Sequence, residues 1–272
     1  PLPGHPHAQR IEGHESMSKQ HKGITVITCT ADRPRAFELC ERWGARTIEY
    51  FLDSGGVDVQ WIVADGGKKR AVCTKRQEHV LVPHEENLTL NILANMTAAL
   101  AHARYDVVAF IEDDDWYAPD YLWWLSARLA DDVDMVGEGF ARYYHLKLGA
   151  YYQHNNKQHA SLSSTILGPR ALDAFRVYLP RARNAYFDIQ LWATMKLRGR
   201  VLAPALSPSK AKTHVVGIKG MPGRRGVGQG HQEQFYGGRK RDTKGAVLRR
   251  WLGKEDAEVY LDLAVREWGM AD

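Results

Sequence analysis

The sequence predicts an α/β protein with a mostly parallel sheet flanked by helices. Runs of strand type alternate with apolar residues at helical spacing over about 90 residues, the pattern of parallel strands joined by crossover helices. One run, Val107-Val108-Ala109-Phe110-Ile111, is apolar without a break, as a strand buried on both faces must be. Each run stops at a polar or glycine-containing turn, and in such sheets ligands collect at the carboxyl ends of the strands.

Taken in order, residues 1–22 carry three prolines and His5, His7, His14 and His21 with almost no apolar periodicity, and they read as a disordered leader or tag-like extension. Ile24-Thr25-Val26-Ile27-Thr28 is the first β-branched run, ended by Thr30-Ala31-Asp32-Arg33-Pro34. Pro34 suits a helix first turn, and Phe37, Leu39, Cys40, Trp43 and Ile48 follow at helical spacing. A second strand runs from Val57 to Ala64 and closes at Asp65-Gly66-Gly67; a helix is expected over 91–104, then the buried run at 107–111. The catalytic unit is expected over 23–205, with 206–272 supplying a glycine-rich basic loop and C-terminal helices that complete the same domain.

Composition narrows the function. The 272 residues are 44% apolar and 25% charged, ordinary for a globular protein and unlike a disordered or fibrous one. No run approaches the ~18 apolar residues of a membrane span. Cys29, Cys40 and Cys73 lack C-x-x-C spacing, which excludes a disulfide scaffold or zinc ribbon and points to a reducing, cytoplasmic setting. Between Lys196 and Lys254 there are 15 Lys and Arg against Glu233 and Asp242, a local balance of +13, while the rest of the chain balances to −8. A basic third on an otherwise acidic protein is the footprint of a polyanionic partner.

The sharpest local signal is Glu112-Asp113-Asp114-Asp115, directly after the buried run. Carboxylates this close raise one another's pKa unless a cation is shared, and clustered hard oxygens suit Mg²⁺ or Mn²⁺. Continued strand geometry would point Asp113 and Asp115 one way and Glu112 and Asp114 the other. The plainer alternative is that Asp114 or Asp115 caps a helix starting near Pro119.

These residues carry a family resemblance. Residues 28–34 (Thr-Cys-Thr-Ala-Asp-Arg-Pro) resemble the first-strand loop of glycosyltransferase family 2, nucleotide-sugar transferases of GT-A (Rossmann-like) fold. Residues 62–67 resemble that family's second-strand Asp-Gly turn, residues 110–122 its DXD segment with the downstream Pro and Leu, and residues 186–192 the segment that supplies the catalytic carboxylate. The resemblance implies nucleotide contacts from Thr28, Asp32 and Asp65, with Asp113 and Asp114 near the donor, and a metal held by Asp113, Asp115 and a late histidine, His214, with His231 as its competitor. It also implies a C-terminal loop that closes over the diphosphate, bringing Lys219, Arg224 or Arg225 to the phosphates; arginine grips phosphate through paired N–H donors. Asp65 reads equally well as a turn residue, and Asp188, the expected base, as a helix cap.

The expected activity is metal-dependent transfer of a sugar from a nucleotide sugar, UDP-linked, to a hydroxyl acceptor, with inversion favoured because a carboxylate base is at hand. Some phage-type enzymes of related fold glycosylate 5-hydroxymethylpyrimidines in DNA. The basic third makes DNA the expected acceptor here, in the host cytoplasm if the chain is phage-encoded. A glycan or cell-envelope acceptor is the alternative within the class; a metal-dependent nuclease or nucleotidyltransferase, or a non-catalytic DNA-binding protein, is the alternative outside it.

Overall fold

The computed structural model describes residues 21–202 and 212–269. The expected leader at 1–22, save its last two residues, and the expected boundary at 205–206 lie outside them. Strand β1 (Gly23–Thr30) leads into helix α1 (Pro34–Asp53), then β2 (Asp58–Asp65), β3 (Gln77–Leu81), α2 (Leu88–His102) and β4 (Val107–Phe110). Pro34 opens α1, where its missing N–H would have no helical partner anyway. Helix α2 starts at Leu88, three residues ahead of the apolar periodicity, because the Asn87 side chain accepts from the Thr89 and Leu90 N–H groups and caps it. Strand β3 has no counterpart among the expected elements. Its residues are half-buried or exposed at the sheet edge, so neither alternation nor a buried run marks it.

The chain continues through β5 (Trp116–Tyr117), α3 (Tyr121–Ser126), β6 (Met135–Glu138), β7 (Phe140–His145), β8 (Ala150–Asn155), β9 (Thr165–Leu167), α4 (Pro169–Tyr178), α5 (Phe187–Thr194) and β10 (Gly199–Leu202). Then come β11 (Val215–Lys219), β12 (Lys240–Arg241), α6 (Ala246–Leu252) and α7 (Lys254–Trp268). The main sheet has the order β10-β6-β9-β4-β1-β2-β3. Its pairs are parallel except where β9 runs against both β4 and β6. A second sheet, β12-β8-β7-β11-β5, is mostly antiparallel.

Side-chain alternation along β4 explains the unbroken apolar run. Val107, Ala109 and Ile111 pack with Trp43 and Phe37 of α1 on one face. Val108 and Phe110 pack with Met96 of α2 and Phe175 of α4 on the other. The C-terminal helices join the first face: Trp43 Nε1 donates to the Tyr260 hydroxyl at 2.8 Å, and Arg46 pairs with Asp256 at 2.7 Å. Asp242 accepts from the Val247 and Leu248 N–H groups and so caps α6. Among the described residues no helix is long and apolar enough to cross a membrane.

In register, Ile27 of β1 faces Phe110 of β4 and Thr30 faces Asp65 of β2. The carboxyl ends of β1 and β4 therefore lie side by side, and residues 30–33 meet residues 112–115.

Candidate active site

After β4 the backbone does not stay extended. It turns, with the Asp115 N–H donating to the Glu112 carbonyl at 3.2 Å, and returns as β5 against β11. The turn separates the four carboxylates differently from strand alternation. Asp113 faces β1: Thr30 Oγ1 donates to its Oδ2 at 2.7 Å and Arg33 Nη1 to its Oδ1 at 2.5 Å. Glu112, Asp114 and Asp115 instead present ligand atoms within 4.8 Å of one another. Of the expected ligand pair, Asp115 belongs to this trio and Asp113 does not.

Two cations reach the cluster. Arg33 bridges Asp113 and Asp114, the latter at 2.8 Å. Lys219, the last residue of β11, lies 2.8 Å from Asp115, 3.3 Å from Asp114 and 3.9 Å from Glu112. Four carboxylates against two full cations leave two negative charges in excess when all are ionised. Burial pushes Asp113 up to about 6 despite Arg33, and Asp115 up to about 7 despite Lys219. Glu112 is also raised, by burial and by Asp115, although its side chain keeps 40% of its surface exposed toward solvent. Asp114 goes the other way, because Lys219 and Arg33 together overcome the cost of its burial.

The late histidines are sorted by position. His231 Nε2 lies 3.3 Å from Asp114, and burial lowers its pKa to about 3, leaving a neutral ring. His214, the expected third ligand, stacks on Trp124 with ring centroids 4.0 Å apart and has Glu138, at 3.7 Å, as its nearest carboxylate. It is separated from the cluster because it precedes β11, whose far end carries Lys219.

The cluster forms the floor of a cleft of about 540 Å³. One wall is the segment after β1 with Asn91 and Asn95 of α2; another is Tyr143, Tyr152, His154 and Phe235. Asp188, in the first turn of α5, opens into the same space, and burial raises its pKa above the usual carboxylate range. Residues 224–231 line the cleft as a glycine-rich strap. The Arg224 N–H donates to the Asp32 carbonyl at 3.1 Å, and its guanidinium donates to the Glu85 carbonyl at 2.7 Å. Arg225 is exposed on the strap.

Three residues expected at the nucleotide make hydrogen bonds within the frame. Thr28 is buried and accepts from Trp61 Nε1 at 3.0 Å. Asp65 is fully buried, accepting from the Gly67 and Ala71 N–H groups at 2.8 and 2.7 Å, so it holds the turn after β2. Asp32, at φ 55°, accepts from the Lys69 N–H at 2.7 Å and anchors the strap. Arg33 is a partner in the site that the sequence pattern alone did not single out, and Glu112, part of the acidic quartet but not among the expected ligands, belongs to the converging trio. Arg33 carried a signal, a lone cation at a strand's carboxyl end facing the acidic quartet, but only the register of β1 with β4 pairs them.

A family model, Glycosyl transferase family 2, matches residues 42–179. No curated protein matches the chain by sequence. Among solved structures, residues 1–349 of S. aureus TarS share 15% identity, with 72% of this chain covering 60% of that one at a TM-score of 0.48. A mannosyltransferase, PcManGT from Pyrobaculum calidifontis, solved with GDP-Man and Mn²⁺, shares 14% identity over 76% of this chain and 59% of that one, TM-score 0.45. Glucosyl-3-phosphoglycerate synthase from Mycobacterium tuberculosis, solved with Mn²⁺, UDP-Glc and phosphoglyceric acid, shares 19% over 45% and 44%, TM-score 0.34. The chain thus spans about 60% of the length of the first two. With the family model covering half the chain, and a mixed α/β sheet carrying its acidic cluster at the end of β4, this chain belongs to glycosyl transferase family 2 and has the GT-A fold.

Proposed function

We propose that the cleft transfers a hexosyl or N-acetylhexosaminyl group from a UDP-sugar to a hydroxyl acceptor with inversion at the anomeric carbon. The observation that carries this reading is one cleft bearing three kinds of chemistry: a carboxylate trio, a cationic strap and a half-buried carboxylate with raised pKa. The trio fits a hard divalent cation, since three carboxylate ligand atoms lie within 4.8 Å of one another. Glu112, Asp114 and Asp115 would hold Mn²⁺ or Mg²⁺; when bound, that ion supplies positive charge beside the diphosphate.

The remaining steps belong to the chain. Arg224, Arg225 and Lys219 supply cations for the leaving diphosphate, which departs with the electron pair of the broken sugar–oxygen bond. The acceptor oxygen forms the new bond to that carbon from the opposite side, and Asp188 takes its proton. The aromatic wall of Tyr143, Tyr152 and Phe235 gives rings on which a sugar or base can stack.

The acceptor we favour is 5-hydroxymethylpyrimidine in DNA. Support comes from the cleft's rim, where the Arg239 guanidinium lies 5.0 Å from both the Tyr152 and Phe235 rings. Exposed Lys240, Arg241 and Lys244 follow, a run suited to a phosphate backbone. A reducing cytoplasmic setting accords with the free thiols of Cys29, Cys40 and Cys73. The test offers duplex DNA with and without 5-hydroxymethylpyrimidines, Mn²⁺ and a set of UDP-sugars, followed by digestion and weighing of nucleosides. A sugar-sized mass gain on the hydroxymethylated base alone is the expected result. UDP release without any gain on DNA would move the acceptor to a glycan.

A further inference from the structure

The carboxylate trio already has an occupant. Lys219 Nζ sits 2.8, 3.3 and 3.9 Å from oxygens of Asp115, Asp114 and Glu112, the same three residues whose ligand atoms converge. Its side chain is held in place by packing. A Cβ built on Gly217 would stand 3.3 Å from Lys219 Cε, and one built on Gly230 would stand 3.4 Å from Cγ. The stem thus passes close to the backbone of both glycines, and only 5% of the residue is exposed.

An ammonium and a divalent cation cannot both take these oxygens. They would compete for the same lone pairs and repel each other at close range, in surroundings where charges are weakly screened. Lys219 is also followed directly by the strap. Gly220, at φ +71°, turns the chain out of β11, and the strap then carries Arg224, Arg225 and His231 around the cleft.

We propose that Lys219 is the resident counter-ion of the trio, and that a divalent cation enters only by displacing it, which makes metal binding depend on a nucleotide diphosphate that accepts the freed ammonium. The proposal rests on the transferase reading, since it takes Glu112, Asp114 and Asp115 as the metal ligands. Lys219 thereby has two partners in turn, the trio and the diphosphate. It holds the trio together when no metal is bound and couples the donor to the metal through one side chain.

The test is Mn²⁺ binding, followed by the loss of the free-ion electron paramagnetic resonance signal, with and without saturating UDP. In the wild type, UDP tightens Mn²⁺ binding by about tenfold or more, the size of an ordinary coupling between two sites. In Lys219→Gln, Mn²⁺ binds without UDP about tenfold more tightly than in the wild type, and UDP adds little. A variant that binds Mn²⁺ no better than the wild type would overturn the proposal. So would a wild type whose Mn²⁺ affinity ignores UDP, a measurement that stands even if the variant does not fold. Thermal shift with UDP in EDTA separates the two readings. Stabilisation by UDP without the Mn²⁺ pattern removes Lys219 from this role and keeps the transferase, whereas no response to UDP either in EDTA or with saturating Mn²⁺ removes the transferase reading itself.

Discussion

Asp188 lies in the first turn of α5, opens into the cleft and has its pKa raised by burial against the pull of the Ile189 N–H and His159. As the proposed general base, Asp188 works only when ionised, so transfer is expected to fall as pH drops through its pKa. Because that pKa is raised above the usual ~3.9 of an aspartate, the acid limb of kcat/KM lies at correspondingly higher pH. Asp188→Asn keeps the shape and removes the proton acceptor. We expect kcat to drop by about 10²- to 10⁴-fold, with donor KM nearly unchanged and the acid limb gone; a pH–rate series on both proteins checks this. At this scale the sequence was legible in kind and not in partnership. Four carboxylates after a buried strand announced a cation site, but which three converge depends on the turn at 112–115, and Asp113 goes to Arg33 because β1 lies beside β4. The hydrogen bonds of Asp65 and Thr28 were not legible for a related reason. A polar residue at a strand's end serves either the ligand or the next turn, and only hydrogen-bond partners tell them apart.

The element proposed to hold the donor is the strap from Lys219 to His231, tied to the first βα loop by the Arg224 N–H on the Asp32 carbonyl. Gly223 makes that tie possible: it sits at φ +104°, and a Cβ there would come within 2.7 Å of the Asp32 carbonyl oxygen. Gly223→Ala therefore forces the strap off β1. Strain of this kind costs about 1–3 kcal/mol, and the strap sits at the surface of the cleft. We expect UDP affinity by calorimetry to fall about tenfold while Tm changes by only a few degrees. An unchanged affinity would show that the strap does not hold the donor. Strand β4 was legible because a short run that is apolar at successive positions marks a strand covered on both sides, and β1 and β2 because runs rich in β-branched and aromatic residues end at polar or glycine turns. The short strands β5 and β12 have two residues each, and β11 forms the second sheet through partners far away in sequence, so local pattern carried no trace of that sheet.

Across the whole molecule, the α/β alternation and the uneven charge were both visible in the sequence, and they describe two sides of one cleft. The basic third does three jobs. Lys219 neutralises the carboxylates, Arg224 ties the strap, and Arg239, Lys240, Arg241 and Lys244 remain exposed at or beyond the rim. Its two acids are spent locally, Asp242 capping α6 and Glu233 pairing with Lys147. If the carboxylate trio and Asp188 together make a nucleotide-sugar transferase site, both must be needed for the sugar to leave its nucleotide. The deciding experiment is therefore UDP release from a panel of UDP-sugars, with Mn²⁺, hydroxymethylated DNA and glycans all offered, for the wild type, Asp115→Asn and Asp188→Asn. Turnover of one donor by the wild type is expected, with a loss of about 10²-fold or more in each variant. No turnover of any nucleotide sugar, with metal-dependent cutting of the DNA in its place, would contradict it.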